Sequence, residues 1–381
     1  MTVRILAFFD TAYPGNWAAL RQARPQSRRY PSLNWPSSLG TYDTAEADQM
    51  VSVVGLAAAA GIDGFVVELT PASEGAPEGY RSGAQALAAL CRPGVFGLAF
   101  RWRCGRDAAW GDEAARPIRA RLLIAALAAH KSACLDGRPT LIIEDPAALG
   151  DIRQATLLLR TEALAAGLDG FRLLAGRAEA AEVVGLGFDA ALDPGPADWG
   201  SCPPSNKPTG LDVLEIQAGL KDSVELTDKF YPYQLFIFSR MINREARGKV
   251  YPRVFPAYFD WAAHPEGGAT LLVNGHADKG VDHYMFGLFV ENAISWADRT
   301  FPEGEKLVFL DSWNHWLEGS QIEPSVLDGD QVYQTVKDAI DKARFMLRSR
   351  AAAKSEALDE QTLQRLRQIC EAAYAAAGMK P

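Results

Sequence analysis

The sequence predicts an α/β fold, a (β/α)8 TIM barrel formed as a single domain with long βα loops and a C-terminal helical extension. About eight short apolar runs recur along the 381 residues, and they are mostly continuous, as in strands buried on both faces. Helical patterns separate most of these runs, and such alternation indicates parallel strands joined by crossover helices. A doubly wound sheet is the alternative. Its nucleotide-binding forms carry a GxGxxG motif after the first strand, and none follows the first run here.

Each predicted strand ends at a polar or turn residue, and several predicted helices end at a glycine, which favours helix termination. The predicted strands are residues 3–9, 64–67, 95–102, 140–143, 171–174, 188–192, 254–259 and 307–310. The predicted helices are residues 45–60, 81–91, 114–133, 151–166, 178–184, 226–247, 282–298 and 331–350. We expect the barrel to occupy residues 1–350 and a helical tail to occupy residues 351–381.

Two long loops interrupt the regular alternation of strands and helices. Residues 11–42 follow the first predicted strand and carry several aromatic residues, prolines and glycines. Residues 194–223 follow the sixth and are rich in proline and glycine. Both loops begin at the carboxyl end of a strand, where barrel enzymes place their lids and subsites.

Composition excludes several classes of partner. The balance of 39 basic and 47 acidic residues gives a net charge of −8, which argues against a nucleic-acid or anionic-membrane surface. No run of 18 apolar residues is present, so we expect no membrane span. The N-terminus lacks the pattern of a signal peptide and the five cysteines lack CxxC spacing, so we expect a cytoplasmic bacterial protein with reduced thiols.

The common catalytic motifs of other enzyme classes do not occur. The five histidines show neither HxH nor HExxH spacing, so neither a metal nor another cofactor is expected. A GxSxG elbow and a P-loop are also missing, which removes sequence support for a serine hydrolase or an NTPase.

Acidic and aromatic residues follow most of the predicted strands. The acids are Asp10, Glu68, Glu144 or Asp145, Asp193, Asp260, Asp311 and Glu318. Because the carboxyl ends of barrel strands converge on one face, we expect these side chains to line one pocket. Paired carboxylates in an aromatic-walled pocket are the groups that break glycosidic bonds. For any single acid, a helix cap or a turn is the alternative role. The candidate substrate-binding residues are Asp10, Tyr42, Glu68, Trp102, Asp145, Tyr258, Asp260, Trp261, Trp313, Asn314, Trp316 and Glu323.

Five segments, in order along the chain, carry a family resemblance. They are Leu39–Asp43, Gly61–Phe65, Asp136–Ile143, Val254–Trp261 and Trp313–Pro324, which match the family patterns LGYYD, GIDGF, DGKPvfliY, vfPgvfpdWDN and WNEWxEGxxlEP. On these residues the chain resembles the glycoside hydrolase family 99-like, WbsX-like proteins of bacterial polysaccharide gene clusters, whose relatives include the endo-α-mannosidases. The resemblance implies a (β/α)8 barrel that acts on an oligosaccharide or polysaccharide.

The resemblance also implies catalytic roles for two residues of the last segment. Glu318 matches the second glutamate of the family motif, which is the general acid/base at the glycosidic oxygen. The first glutamate, which acts on the sugar 2-OH in a neighbouring-group mechanism through a 1,2-anhydro sugar, is replaced by His315. Histidine exchanges a proton near neutral pH, so His315 is suited to keep a base role. A second departure, Val66–Leu69 in place of an aromatic family segment, brings Glu68 to the pocket.

Three functions are therefore weighed. The first is a glycoside hydrolase or transglycosidase acting on α-linked sugars, with Glu318 as acid/base and His315 as the assisting base. The second is a non-catalytic glycan-binding barrel, which the replacement of a catalytic glutamate by His315 favours. The third is a nucleotide-sugar-dependent glycosyltransferase, for which the sequence offers no diphosphate-binding loop.

Overall fold

The computed structural model describes residues 3–12, 17, 36–71, 80–81, 85–92, 94–106, 110, 112–176, 180–195, 229–243, 248–259, 270–273, 281–355, 364 and 368. The chain divides into two compact units, residues 1–340 and 341–381. The first unit holds the β-structure of the described residues, and the second is helical where it is described. The expected division near residue 350 stays a prediction.

Thirteen strands lie in the described part of the chain. They are β1 (Arg4–Phe9), β2 (Gly64–Pro71), β3 (Tyr80–Arg81), β4 (Gly97–Trp102), β5 (Thr140–Ile143), β6 (Arg172–Ala175), β7 (Ala190–Leu192), β8 (Lys229–Pro232), β9 (Val250–Tyr251), β10 (Arg253–Val254), β11 (Tyr258–Phe259), β12 (Thr270–Val273) and β13 (Leu307–Leu310). The parallel path runs β10–β13–β1–β2–β4–β5–β6–β7–β9.

The path closes because β9 and β10 are two halves of one strand, separated by Pro252. β9 pairs with β7, and β10 pairs with β13, so this strand joins the two ends of the path. Proline has no N–H to donate to a ladder, but the Pro252 carbonyl still accepts a 2.9 Å hydrogen bond from the Phe309 amide. Counted this way, eight parallel strands form the ring, and the predicted TIM barrel is confirmed.

Eight α-helices connect or flank these strands in the described residues. They are α1 (Ala47–Ala59), α2 (Gln85–Leu90), α3 (Arg116–Ala129), α4 (Ile152–Ala165), α5 (Ala180–Val183), α6 (Tyr233–Asn243), α7 (His283–Thr300) and α8 (Gln331–Ser355). Asp151 and Asp282 cap α4 and α7, since each carboxylate accepts a 3.0 Å hydrogen bond from an amide of the first turn. None of the described helices is both long enough and apolar enough to cross a bilayer.

Two predicted elements differ from the structure, and tertiary pairing explains both. The seventh barrel strand lies at residues 250–254, before the predicted strand at 254–259; β11 instead pairs antiparallel with β12 outside the barrel. The predicted helix 226–247 begins only at Tyr233, because Lys229–Pro232 pairs in parallel with β12 as β8. Pro232 also removes a donor from any helix that would run through it.

Close backbone packing at one side of the barrel depends on glycine. Gly64 and Gly97 are partners in the β2–β4 register. A Cβ atom on Gly97 would lie 2.5 Å from the Cα of Leu135, and a Cβ on Gly64 would meet the Gly97 carbonyl oxygen at 2.1 Å. Only a residue without a side chain lets these backbones approach so closely.

Candidate active site

The segment after β13, residues 311–324, is fixed across the carboxyl end of the barrel by its own backbone. The Trp313 amide donates a 2.8 Å hydrogen bond to the Phe8 carbonyl of β1, and the Ser312 amide donates a 2.9 Å bond to the Ser320 carbonyl. Gly319 adopts a left-handed conformation (φ 63°) directly after the short 3-10 turn Trp316–Glu318. The polar side chains of the segment are therefore held on a defined backbone.

A layer of buried and partly buried charges crosses the same end of the barrel, and we call it the barrel mouth. It consists of Glu68, Arg101, Glu144, Arg253 and Asp311, which come from or directly follow β2, β4, β5, β10 and β13. The convergence of strand-end acids that the sequence predicts is thus present for Glu68, Glu144 and Asp311. The basic partners of these acids were not expected from the sequence.

Arg253 joins two of the acids. Its Nε and Nη2 atoms lie 2.8 and 2.7 Å from Oδ2 of Asp311, and its Nη1 atom lies 2.8 Å from Oε1 of Glu144. The guanidinium carbon also lies 4.4 Å from the centroid of the Phe8 ring, within the range of a cation–π contact. One arginine therefore connects the ends of two strands across the mouth.

Glu144 is held ionised by this arrangement. Burial would raise the pKa of the carboxyl group, but the neighbouring guanidinium groups, led by that of Arg253, outweigh burial and lower the pKa to about 2. Its second oxygen, Oε2, is buried and has no hydrogen-bond partner among the described residues. The sequence offered Glu144 or Asp145 as the acid that ends this strand, with Asp145 as the substrate-binding candidate; Glu144 is the one that makes the ion pair.

Glu68 is bound by two further arginines. Its Oε2 atom lies 2.9 Å from Nη2 of Arg101 and 3.1 Å from Nε of Arg103. The guanidinium of Arg101 lies 5.2 Å from the same Phe8 ring that Arg253 contacts. The basic and acidic groups of the mouth therefore neutralise one another.

His315 lies between two carboxylates. Its Nδ1 atom is 3.6 Å from Oδ1 of Asp311 and 3.8 Å from Oε2 of Glu318. The Asp311 side chain is 3% exposed, whereas the Glu318 side chain is 43% exposed. The structure thus brings the two predicted catalytic residues together and adds a buried acid behind the histidine.

A second polar cluster joins the loop after β1 to the loop after β13. The Tyr42 hydroxyl donates a 2.9 Å hydrogen bond to Oε2 of Glu323 and accepts a 3.1 Å bond from Nδ2 of Asn314. The Asn314 amide also pairs with the backbone of Asp10, accepting from its N–H at 2.8 Å and donating to its carbonyl at 3.0 Å. Four of the predicted site residues are therefore in one hydrogen-bonded network.

The Glu323 carboxyl group is protonated near neutral pH. Burial raises its pKa to about 8, against the opposing effect of its neighbours Tyr42 and Trp316. Its Oε1 atom has no hydrogen-bond partner among the described residues, and neither does Nε1 of Trp316, so the indole and the carboxyl group are close without a well-formed bond. A neutral acid at this position ties the two loops together without adding a charge.

The aromatic candidates lie within the packing around the mouth. Trp102, Trp313 and Trp316 are fully buried, and Tyr258 is 4% exposed. Trp102 packs edge-to-face on Trp110 at 4.9 Å, and Trp313 lies 5.9 Å from Phe65. These rings are buried against other side chains, and their role as sugar-stacking walls of a pocket stays a prediction. Asp260 and Trp261 lie outside the described residues.

Several buried polar atoms around the mouth have no hydrogen-bond partner among the described residues. Buried groups of this kind call for an explanation, because nearly all buried polar atoms in proteins are paired. The set contains both donors and acceptors: Nε of Arg101, Nε1 of Trp313 and Trp316, Oε2 of Glu144, Oδ1 of Asp311, Oε1 of Gln321 and Oε1 of Glu323. In the part of the chain that is described, no three His, Cys, Asp or Glu side chains are grouped as a metal ion would require.

Sequence reasoning missed two residues of the mouth, Arg101 and Arg253, and two contacts, that of Glu144 with Arg253 and that of Asp311 with His315. A signal existed for the arginines. Arg101 and Arg253 interrupt runs that are otherwise apolar, and a charge inside a buried strand requires a partner. The pairing of each arginine with its acid depends on which strands the closed barrel brings together. A local sequence pattern does not predict that.

Comparison with known proteins agrees with this architecture. A family model described as "Glycosyltransferase WbsX" matches residues 112–336. A solved structure described as a glycoside hydrolase-like protein is 17% identical, with a TM-score of 0.56 over 89% of this chain and 94% of that chain. No curated protein matches the chain.

Two solved structures of the GH99 endo-α-mannosidase from Bacteroides thetaiotaomicron are also similar. The complex with Bis-Tris-propane is 15% identical and the other structure 14%, each with a TM-score of 0.51 over 90% of this chain and 98% of that chain. The TM-scores show a shared barrel fold, and at identities this low they show the fold alone. The chemistry therefore has to be argued from the residues of this chain.

Proposed function

This chain belongs to the WbsX family, and from that premise we propose that it is a carbohydrate-active enzyme that cleaves or transfers α-linked sugars of a bacterial glycan. The observation that carries the proposal is the position of His315 between the buried carboxylate of Asp311 and the half-exposed carboxylate of Glu318. An acid and a base side by side at a barrel mouth are the parts that glycosidic bond cleavage requires.

Glu318 is the general acid/base in this proposal. Its side chain is the more exposed of the two carboxylates beside His315, so a glycosidic oxygen can reach it. It protonates the leaving oxygen as the bond from the anomeric carbon breaks. In the second step it takes a proton from the attacking water, or from the hydroxyl of an acceptor sugar when the reaction is a transfer.

His315 is the base that acts on the substrate. It takes the proton of the sugar 2-OH while that oxygen attacks the anomeric carbon, which gives a 1,2-anhydro sugar and a protonated imidazole. Opening of the anhydro ring by water or by an acceptor then returns the proton from the imidazole to the 2-oxygen. Histidine in general suits this reversible exchange because the ordinary pKa of an imidazole lies close to neutral pH.

The exposed part of the site supports a polyhydroxylated substrate. The half-exposed Glu318 carboxylate accepts hydrogen bonds, and the neighbouring His315 imidazole both donates and accepts them. Sugar hydroxyls both donate and accept, so they match a mixed set of this kind.

Turnover of α-mannoside and α-rhamnoside oligosaccharides tests the proposal. We expect Glu318→Gln to lower kcat by about 100-fold or more, because the general acid is lost. The matched control is Glu113→Gln, on a side chain that is 85% exposed, which is expected to leave kcat unchanged. An active wild-type preparation that Glu318→Gln does not affect would exclude the assigned role.

Two other outcomes identify the alternatives. Binding of oligosaccharides without turnover, with no activity gained in His315→Glu, indicates a non-catalytic glycan-binding barrel and contradicts the proposal. The family description favours a second candidate, transfer from a nucleotide sugar. A panel of nucleotide sugars and unactivated oligosaccharides, compared by the shift in Tm, separates that candidate from the first.

A further inference from the structure

We infer that Asp311, fixed by Arg253, is a positioning residue that holds His315 as the Nδ1–H tautomer, so that Nε2 is the basic atom of the site. The inference rests on the proposed function for what Nε2 then does to a substrate. The tautomer itself is a property of the free protein.

The orientation of the Asp311 carboxylate is set by two hydrogen bonds to the same oxygen. Oδ2 accepts from Nε and Nη2 of Arg253 at 2.8 and 2.7 Å, and both side chains are almost completely buried. The other oxygen, Oδ1, is buried and has no hydrogen-bond partner among the described residues. A buried carboxylate oxygen without a donor is unfavourable, so it favours any neighbour that can bring a proton to it.

Nδ1 of His315 is placed to bring that proton. It lies 3.6 Å from Oδ1 of Asp311, slightly beyond hydrogen-bond length. Catalytic hydrogen bonds are often long in free enzymes and shorten when the substrate binds. The His315 backbone is also held, because its amide donates a 2.9 Å bond to the Ser312 hydroxyl.

Glu318 competes for the same nitrogen. Its Oε2 atom lies 3.8 Å from Nδ1, only slightly farther than Oδ1 of Asp311. Its side chain is 43% exposed, so water screens its charge and satisfies its oxygens. The Asp311 carboxylate is buried and cannot bond to bulk water in the same way. Its interaction with Nδ1 is the stronger of the two, because electrostatic interactions are stronger in a buried environment. Asp311 therefore decides the tautomer.

The remaining charges of the mouth are paired. Arg253 also binds Glu144, and Glu68 is bound by Arg101 and Arg103. The contact with Glu144 helps to hold Arg253, and through it Asp311, in place. A carboxylate that accepts from Nδ1–H leaves the lone pair on Nε2, which is how carboxylate–histidine pairs set the reactive nitrogen in other enzymes.

Nitrogen NMR of the full chain, labelled with ¹⁵N-histidine, tests the inference directly. The spectra are recorded at about pH 9, well above the ordinary imidazole pKa of about 6.5, because the two tautomers of neutral histidine give different ¹⁵N shifts. The signals of His315 are those lost in His315→Gln. We expect wild-type His315 to be mainly the Nδ1–H form. A wild-type His315 that is mainly Nε2–H overturns the inference without any further variant.

Two isosteric variants separate the two carboxylates. Asp311→Asn is expected to convert most of the His315 population to the Nε2–H form. The reason is that Arg253 requires the amide oxygen, which turns the amide NH2 toward Nδ1. Glu318→Gln is expected to keep the Nδ1–H form. The opposite result, a tautomer that changes with Glu318→Gln and not with Asp311→Asn, assigns the role to Glu318. Unchanged signals from the other four histidines show that each variant is folded.

The readout does not require turnover, so failure of this inference and failure of the proposed function are distinguishable. If the protein turns over a glycan, we expect Asp311→Asn to lower kcat by about 10- to 100-fold with little change in KM, as for other groups that orient a catalytic ligand. A normal kcat in Asp311→Asn with an altered tautomer would show that Nε2 is not the base.

Discussion

Nη1 of Arg253 lies 2.8 Å from Oε1 of Glu144, and each side chain is about 5% exposed or less. The pair joins the fourth barrel strand to the seventh. Burial removes both charges from water, which costs desolvation free energy. The attraction between the two charges offsets this cost only while both are present. The free energy of unfolding of suitable variants therefore tests the ion pairs of the mouth without a substrate.

Removal of the Arg253 charge leaves two buried acids without their partner. We expect Arg253→Met to lower the free energy of unfolding by about 3–5 kcal/mol, measured by urea denaturation. The double variant Arg253→Met/Glu144→Gln is expected to recover part of this loss. The control is Arg121→Met, since the Arg121 side chain is 71% exposed and its long 3.5 Å pair with Glu162 is worth about 1 kcal/mol or less. Equal losses in the two single variants would contradict the prediction.

Glu144 is expected to contribute to acid sensitivity. Its folded pKa is about 2, below the ordinary value of 4.5 that it takes in the unfolded chain. The stabilisation is therefore complete above about pH 4.5 and is lost as the pH falls through about 2, with a slope of at most about 1.4 kcal/mol per pH unit. The free energy of unfolding, measured by urea denaturation at each pH between about 5 and 2, should fall less steeply with decreasing pH in Glu144→Gln than in wild type. Two parallel plots of the free energy of unfolding against pH would refute this.

Glu323 is expected to have the opposite effect. Its folded pKa is raised to about 8, so the folded protein binds a proton that the unfolded chain releases near 4.5. The associated stability is complete below about pH 4.5 and is lost as the pH rises to about 8, again by at most about 1.4 kcal/mol per unit. Glu323→Gln keeps a neutral group there. The stability of the variant relative to wild type should therefore increase from about pH 5 to 8.

Two glycine-to-alanine changes are expected to differ in sign. Gly97→Ala places a methyl group 2.5 Å from the Leu135 backbone, so we expect a loss of stability of about 1–3 kcal/mol. Gly55→Ala, within α1, meets no atom within 4 Å and should stabilise the protein by about 0.5–1 kcal/mol. A stabilising Gly97→Ala would show that the β2–β4 contact relaxes easily.

Much of the fold could be predicted because barrel strands are short apolar runs with a clear end. The runs at residues 3–9, 140–143 and 307–310 match β1, β5 and β13 within one residue. The seventh strand was misplaced because Pro252 interrupts it, and a strand with a central proline does not resemble one locally. β8 was predicted as helix because its pairing with β12 is non-local.

The candidate site was predictable to the extent that it is contiguous in sequence. His315 and Glu318 are three residues apart, and their proximity follows from the turn they share. The contact of Tyr42 with Glu323 joins residues 281 positions apart, and it exists only in the closed barrel. The arginine–carboxylate pairs likewise join residues from different strands, so their burial and their partners are set only when the barrel closes.

The divided seventh strand bears on whether two fragments of the chain can reassemble the barrel. Each half of that strand pairs through only two residues on its own side, and Arg253 begins the second half. The acids that Arg253 contacts come from either side of the closure point, one after β5 and one after β13. A fragment that contains only the first four or only the last four barrel strands therefore lacks part of the mouth. Complementation of two such fragments would restore barrel closure and the Arg253 contacts in one step.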